Sequence, residues 1–227
     1  MRFDEAMAFL IDASDPQIAT IYSRRNPSGR VLGVRYGDIY KLVKLVKRDS
    51  DLARELWATG WAEAREVALR VMGPDNLTET EIDDWIADVE FPSVADSLAN
   101  LVYRTPFAAK KRGEWTASPD EFVRRAGFPL VYSFAADPKS EISDEDLTAY
   151  LGQIGREIQA SPNWSREMMN MVPIAIGLRS PELRAKAIAV ATAYGPVDVF
   201  HGDKTNCKVW NAVEALNNPK TKVKPPA

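Results

Sequence analysis

The sequence predicts an all-α chain, an α-solenoid superhelix of antiparallel helix pairs. Three observations predict it: apolar residues recur at helical spacing almost throughout, helix-start signals are frequent, and strand signals are scarce. Ile39, Leu42, Val43 and Val46 fall on one face of a helix, and so do Ile82, Trp85, Ile86 and Val89. Alternating β-branched runs bounded by Asn-Gly or Asp-Gly turns do not occur.

The periodicity places helices near residues 3–12, 16–24, 36–47, 50–59, 61–72, 79–89, 93–104, 107–116, 119–136, 144–159, 164–179, 181–193 and 209–217. Asp15-Pro16 starts the second, because proline at the first helical position gives up only an N–H that has no partner there. Thr78 with Glu81 reads as a capping box for the sixth, in which hydroxyl and carboxylate satisfy first-turn N–H groups. Ser118-Pro119 with Glu121 repeats that signature for the ninth, and Ser180-Pro181 starts the twelfth. Most connections are about two to eight residues, which makes consecutive helices antiparallel neighbours. Pairs recurring about every 35 to 45 residues are the HEAT or armadillo pattern. No linker marks a boundary, so residues 1–218 are expected as a single domain. Residues 219–227, with three lysines and Pro225-Pro226, are expected as a disordered basic tail.

At 227 residues and 45% hydrophobic, the chain can bury a sizeable core. One cysteine, Cys207, excludes an intramolecular disulfide. With one histidine besides, Cys/His zinc sites lack ligands, and any Ser-His-Asp or Cys-His arrangement would run through His201. No apolar run approaches the roughly 18 to 20 residues of a membrane span, and Met1 to Asp12 carries acids, unlike a signal peptide. There is no G-x-G-x-x-G and no Walker loop. A cytoplasmic monomer with no metal, nucleotide cofactor or membrane partner is the expectation.

The net charge of -3 hides an uneven distribution. From Arg24 to Arg48 there are eight basic residues and one acid, Asp38, so the segment carries +7 and the remainder -10. Lys41, Lys44, Lys47 and Arg48 share one helix face, with Arg35 just before it. Such a row suits a phosphate backbone, whose counterions it would release, and it also suits a solvated polar face. Lys110-Lys111-Arg112 extends the surface or is simply solvent-exposed charge. For the six tryptophans core packing is the better reading than base stacking, and for Met168-Met169-Asn170-Met171 adaptable core. His201-Gly202-Asp203 reads as a loop rather than a catalytic site. Asp96 lies in an apolar helix near its start, where an acid favours the helix dipole. Arg124-Arg125 lies within another apolar helix, where burial calls for a carboxylate or phosphate partner.

Several stretches together resemble the AlkD-like DNA alkylation repair family of HEAT-like repeat DNA glycosylases. They are Leu32-Gly33-Val34-Arg35, Asp51 to Trp57, Glu63-Ala64-Arg65, Thr80-Glu81 to Asp84-Trp85, Asp96 to Val102, Thr105-Pro106-Phe107 and Phe122 to Gly127. The resemblance spans roughly residues 25 to 195. It implies a right-handed superhelix with a concave, basic face that binds duplex DNA, alkylated or branched. Active relatives excise cationic N3- or N7-alkylated purines without metal or nucleotide cofactor. A cationic base is a good leaving group, so a carboxylate that stabilises the oxocarbenium-like sugar and positions water is most of the chemistry required. By this resemblance Asp96 is the catalytic carboxylate and Arg125 the phosphate-binding arginine. The family's two tryptophans fall on Pro92, with Phe91 beside it as a candidate aromatic contact, and on Met171. The stretch from Val197-Asp198 to Cys207-Lys208 resembles a subgroup of the same family. Two readings follow: a DNA glycosylase or damage binder, and a non-catalytic scaffold that binds structured nucleic acid, a protein or a small ligand.

Overall fold

The computed structural model describes residues 1–24, 29–202 and 207–222. Arg25, Asp203 and residues 223–227, the last being most of the expected basic tail, lie outside the described residues. The described residues contain thirteen α-helices and no strand beyond an isolated bridge between Ser14 and Val34. No helix among them is long and apolar enough to cross a membrane.

The chain forms two compact units, one built on Met1–Thr105 and the other on Pro106–Phe200 with the last helix. The first holds α1 (Phe3–Asp12), α2 (Pro16–Ser23), α3 (Tyr36–Val46), α4 (Ser50–Ala58), α5 (Ala62–Val71), α6 (Glu79–Ala87) and α7 (Pro92–Val102). The second holds α8 (Ala108–Thr116), α9 (Glu121–Ala136), α10 (Asp144–Glu157), α11 (Asn163–Gly177), α12 (Pro181–Tyr194) and α13 (Ala212–Asn217). The expected helices are all present. The thirteenth starts three residues late because Asn211, not residue 208, supplies the cap, accepting from the Glu214 N–H at 3.1 Å.

Three of the expected starts cap as written. Asp15 accepts from the Gln17 N–H, Ser180 from that of Leu183, and Thr78 and Glu81 form the reciprocal box. The ninth does not. Asp120 is the cap of α9, accepting from the Phe122 and Val123 N–H groups at 3.0 Å each. Ser118 Oγ instead accepts from the Asp120 N–H, and Glu121 reaches out of the helix to the Trp164 N–H at 2.7 Å. A carboxylate closer to the orphan donors displaced the hydroxyl.

In the first unit α5 packs against both α3 and α7, and α4 and α6 lie behind as partners of α5 and α7. Trp57 of α4 and Trp85 of α6 stack at 4.4 Å with planes 6° apart, both buried. In the second unit α9 and α13 flank α11, and α10 packs on α12. Gly127 is what lets α9 close on α8, since a Cβ there would sit 2.5 Å from the Thr116 nitrogen. Of the six tryptophans, four are buried and Trp61 is half-buried under the Arg30 guanidinium. Trp210, 61% exposed, departs from the expected core role. Met169 is buried, and Met168 and Met171 pack against the same core.

Candidate nucleic-acid interface

α7 buries Val94, Ala95, Leu98, Ala99, Leu101 and Val102 and keeps Ser93, Asp96, Ser97 and Asn100 at spacings of three, four and seven. The 3.6-residue period therefore sets these four as one polar stripe, with Asp96 half-buried at its edge. The stripe is tied to α3 and α5 by a buried network. Glu66, 2% exposed, accepts from the Tyr36 hydroxyl at 3.0 Å and the Ser97 hydroxyl at 2.8 Å, and pairs with Arg70. Arg70 Nη2 also donates to Ser97 Oγ at 3.3 Å, and the Ser93 hydroxyl reaches the Tyr36 phenol. Burial pushes the Tyr36 phenol up, and the Glu66 carboxylate adds to it. Burial opposes the charge on Arg70, but its bonds to Glu66 hold the guanidinium above its ordinary value. One anion and one cation cancel, so the network fixes three helices without adding net charge.

The free charge lies at the C-terminal end of α3: the expected single helix face stops at Lys44, because the helix ends at Val46, Lys47 caps it with φ +66° and Arg48 follows. Of the cations selected from sequence, Arg35 pairs with Asp15 at 3.1 Å and Lys41 with Asp38 at 2.8 Å. Lys44, Lys47 and Arg48 are exposed and, among the described residues, have no carboxylate partner. Sequence reasoning missed a fourth, Arg104, just past α7. Burial and the neighbouring Arg48 both depress its guanidinium below the ordinary value. Neither guanidinium forms an ion pair among the described residues, although Arg48 shares a surface recess with Asp51 and Asp75. No local signal marks Arg104, because only the packing of α3 and α7 on α5 brings it to Arg48. That packing is tied at the other end by Tyr36 and Ser93.

Arg125 belongs to the second unit. It is 4% exposed, and its Nη1 donates to the Glu167 carboxylate at 2.7 Å and the Trp164 carbonyl at 2.8 Å. Arg124 pairs with Glu157. Both arginines thus have the carboxylate that burial demands. Lys110-Lys111-Arg112 is not the solvent-exposed run expected. Lys111 is 2% exposed and bonds Glu114 at 2.9 Å, and Arg112 lies over Phe134 at 4.5 Å.

Phe91 and Pro92 are buried at the start of α7. Phe91 lines a recess with Tyr22, Tyr36 and Ser93 that holds little more than water. His201 is half-buried, Cys207 is exposed, and residues 203–206 between them lie outside the described residues.

The sequence matches the family described as DNA alkylation repair enzyme over residues 6–216. None of the curated proteins matches it. Among solved structures it is similar to one reported as a new family of proteins related to the HEAT-like repeat DNA glycosylases with affinity for branched DNA structures. The identity is 25% and the TM-score 0.84, covering 95% of this chain and 92% of that one. The expected all-α, HEAT-like architecture is therefore the fold of this chain.

Proposed function

The chain belongs to the DNA alkylation repair enzyme family, and from that membership we propose that it binds DNA, branched or interrupted duplexes above intact ones. One observation carries the reading: Lys44, Lys47 and Arg48 are exposed and without an ion pair among the described residues, and Arg48 has a further cation, Arg104, as its neighbour. Cations that spend no charge on the protein release counterions when they meet phosphate, so the free energy goes into binding DNA. Affinity for branched DNA is carried over from the family of the similar structure, and its excess over intact duplex is part of this proposal. The buried Arg70–Glu66 pair holds the binding helices without competing for phosphate. The protein acts as a cytoplasmic monomer in this reading.

Base excision is a second reading, favoured by the position of Asp96 on that stripe. In it Asp96 stabilises the oxocarbenium-like sugar while cations of the first unit hold the flanking phosphates. Arg125, in the second unit, is proposed by itself as a phosphate contact once Glu167 yields it. Phe91 and Met171 add little here, because both pack into the protein interior. The test is a binding titration on a four-way junction, a fork and a linear duplex, beside base release from DNA carrying N7-methylguanine and N3-methyladenine. Junction binding without release establishes the first reading. Release establishes the second, and neither result leaves a scaffold for proteins or small ligands.

A further inference from the structure

Beside the exposed lysines of α3 stands an aromatic residue, Tyr40, whose hydroxyl is hydrogen-bonded to the Arg70 guanidinium. Tyr40 is 49% exposed, the largest exposed apolar side chain beside the free lysines on its side of the helix. It stands one turn before Lys44 on the same helix face, and Lys47 follows as the C-cap of α3 with φ +66°.

Its ring is held from within. The Arg70 guanidinium lies 5.4 Å from the ring centre and the Tyr36 ring 6.2 Å away at 42°. Glu66 in turn fixes Arg70. About half of the residue stays open to solvent among the described residues. The residue one turn earlier is Gly37, and a Cβ built there would meet no atom within 4 Å.

A fixed aromatic face beside unpaired cations is the combination that takes a nucleobase with its attached phosphates. We propose that the outer face of Tyr40 is a stacking platform for an unpaired nucleobase at a DNA branch point, with the adjoining phosphates on Lys44 and Lys47. This rests on the DNA-binding reading and adds to it the residue that separates branched DNA from duplex. In an intact duplex every base is already stacked on its neighbours, so the platform has nothing to take. At a branch point an unpaired base is exposed, and covering it on Tyr40 removes two apolar faces from water. Tyr40 would then contribute to branched DNA and leave duplex affinity untouched.

The experiment compares wild type, Tyr40→Ala and Tyr40→Phe on a fork and on a linear duplex of equal length. A second readout is the fluorescence of 2-aminopurine placed at the branch point. Tyr40→Ala is expected to weaken fork binding by about fivefold to fiftyfold, to leave duplex binding unchanged, and to abolish the 2-aminopurine quenching seen with wild type. Tyr40→Phe keeps the ring and is expected to keep both signals. Fork affinity and quenching unchanged in Tyr40→Ala overturn the platform while leaving the DNA-binding reading intact. Equal losses on fork and duplex overturn it too, since stacking would not act on the duplex. Absence of DNA binding by wild type overturns the underlying reading instead. Matched thermal melting of the three proteins shows that the comparison is between folded chains.

Discussion

The Glu63 carboxylate accepts a hydrogen bond from the backbone N–H of Gly33 at 2.7 Å, flanked by those of Leu32 at 2.9 Å and Val34 at 3.2 Å. One buried anion thus satisfies three consecutive donors in the segment that leads into α3. Gly33 itself has φ +86°, and a Cβ there would lie 2.3 Å from the Asp15 carbonyl oxygen. Two of the stretches that carried the family resemblance are therefore halves of one lock on the basic helix. Glu63→Ala leaves three buried donors unpaired and is expected to cost about 3 kcal/mol or more of stability. Urea unfolding checks it, and a loss below about 1 kcal/mol would refute the role.

Arg125 gives the opposite kind of prediction, because its placement is that of a structural ion pair. Its side chain is 5% exposed and that of Glu167 27%. Removing the cation strands a partly solvated carboxylate, so Arg125→Ala is expected to lose about 2–4 kcal/mol. The loss should appear as a lowered denaturation midpoint with or without DNA. An undiminished midpoint combined with weakened DNA binding would instead make Arg125 a phosphate contact.

The first unit also has an acid-sensitive tie. Glu81 accepts from Arg54 Nε at 2.6 Å and closes the capping box with Thr78. The Arg54 bond, foremost, holds its carboxyl below the usual value of 4.5. A carboxyl lowered on folding stabilises the fold fully above its unfolded value. That contribution is lost as pH falls below about 4.5 and through the lower folded value. Thermal midpoints should drop over that range in wild type and drop less in Glu81→Gln, which has no charge to lose.

Asp96→Asn keeps shape and removes charge. It is expected to abolish any base release while the variant stays folded, as a matched thermal melt would show. Release assays on alkylated DNA decide it. Undiminished release by the variant removes the assignment of the carboxylate.

The helices were legible because their signals are local. The apolar face of Ile39, Leu42, Val43 and Val46 and the Thr78–Glu81 box act within one or two turns, so the chain order displays them. The site was legible only in part. Lys44, Lys47 and Arg48 lie together in sequence, whereas Arg104 joins Arg48 from far along the chain, because α3 and α7 both pack on α5. Charge runs also mislead where packing decides: Lys111 looks like solvent charge beside Lys110 and Arg112, yet it is buried against Glu114. Asp15 and Asp38 likewise neutralise Arg35 and Lys41, which no count of basic residues reveals.

The central claim is that the unpaired cations of α3 meet phosphate. The measurement is junction affinity across a salt series for wild type and for the Lys44→Ala, Lys47→Ala, Arg48→Ala triple variant. Every cation–phosphate pairing that the substitutions remove should lower the slope of log K against log salt by roughly 0.9. The account predicts a slope shallower by about 2–3 in the triple variant, with weaker affinity for every DNA tested. An unchanged slope with unchanged affinity would contradict it and place the DNA elsewhere on the chain.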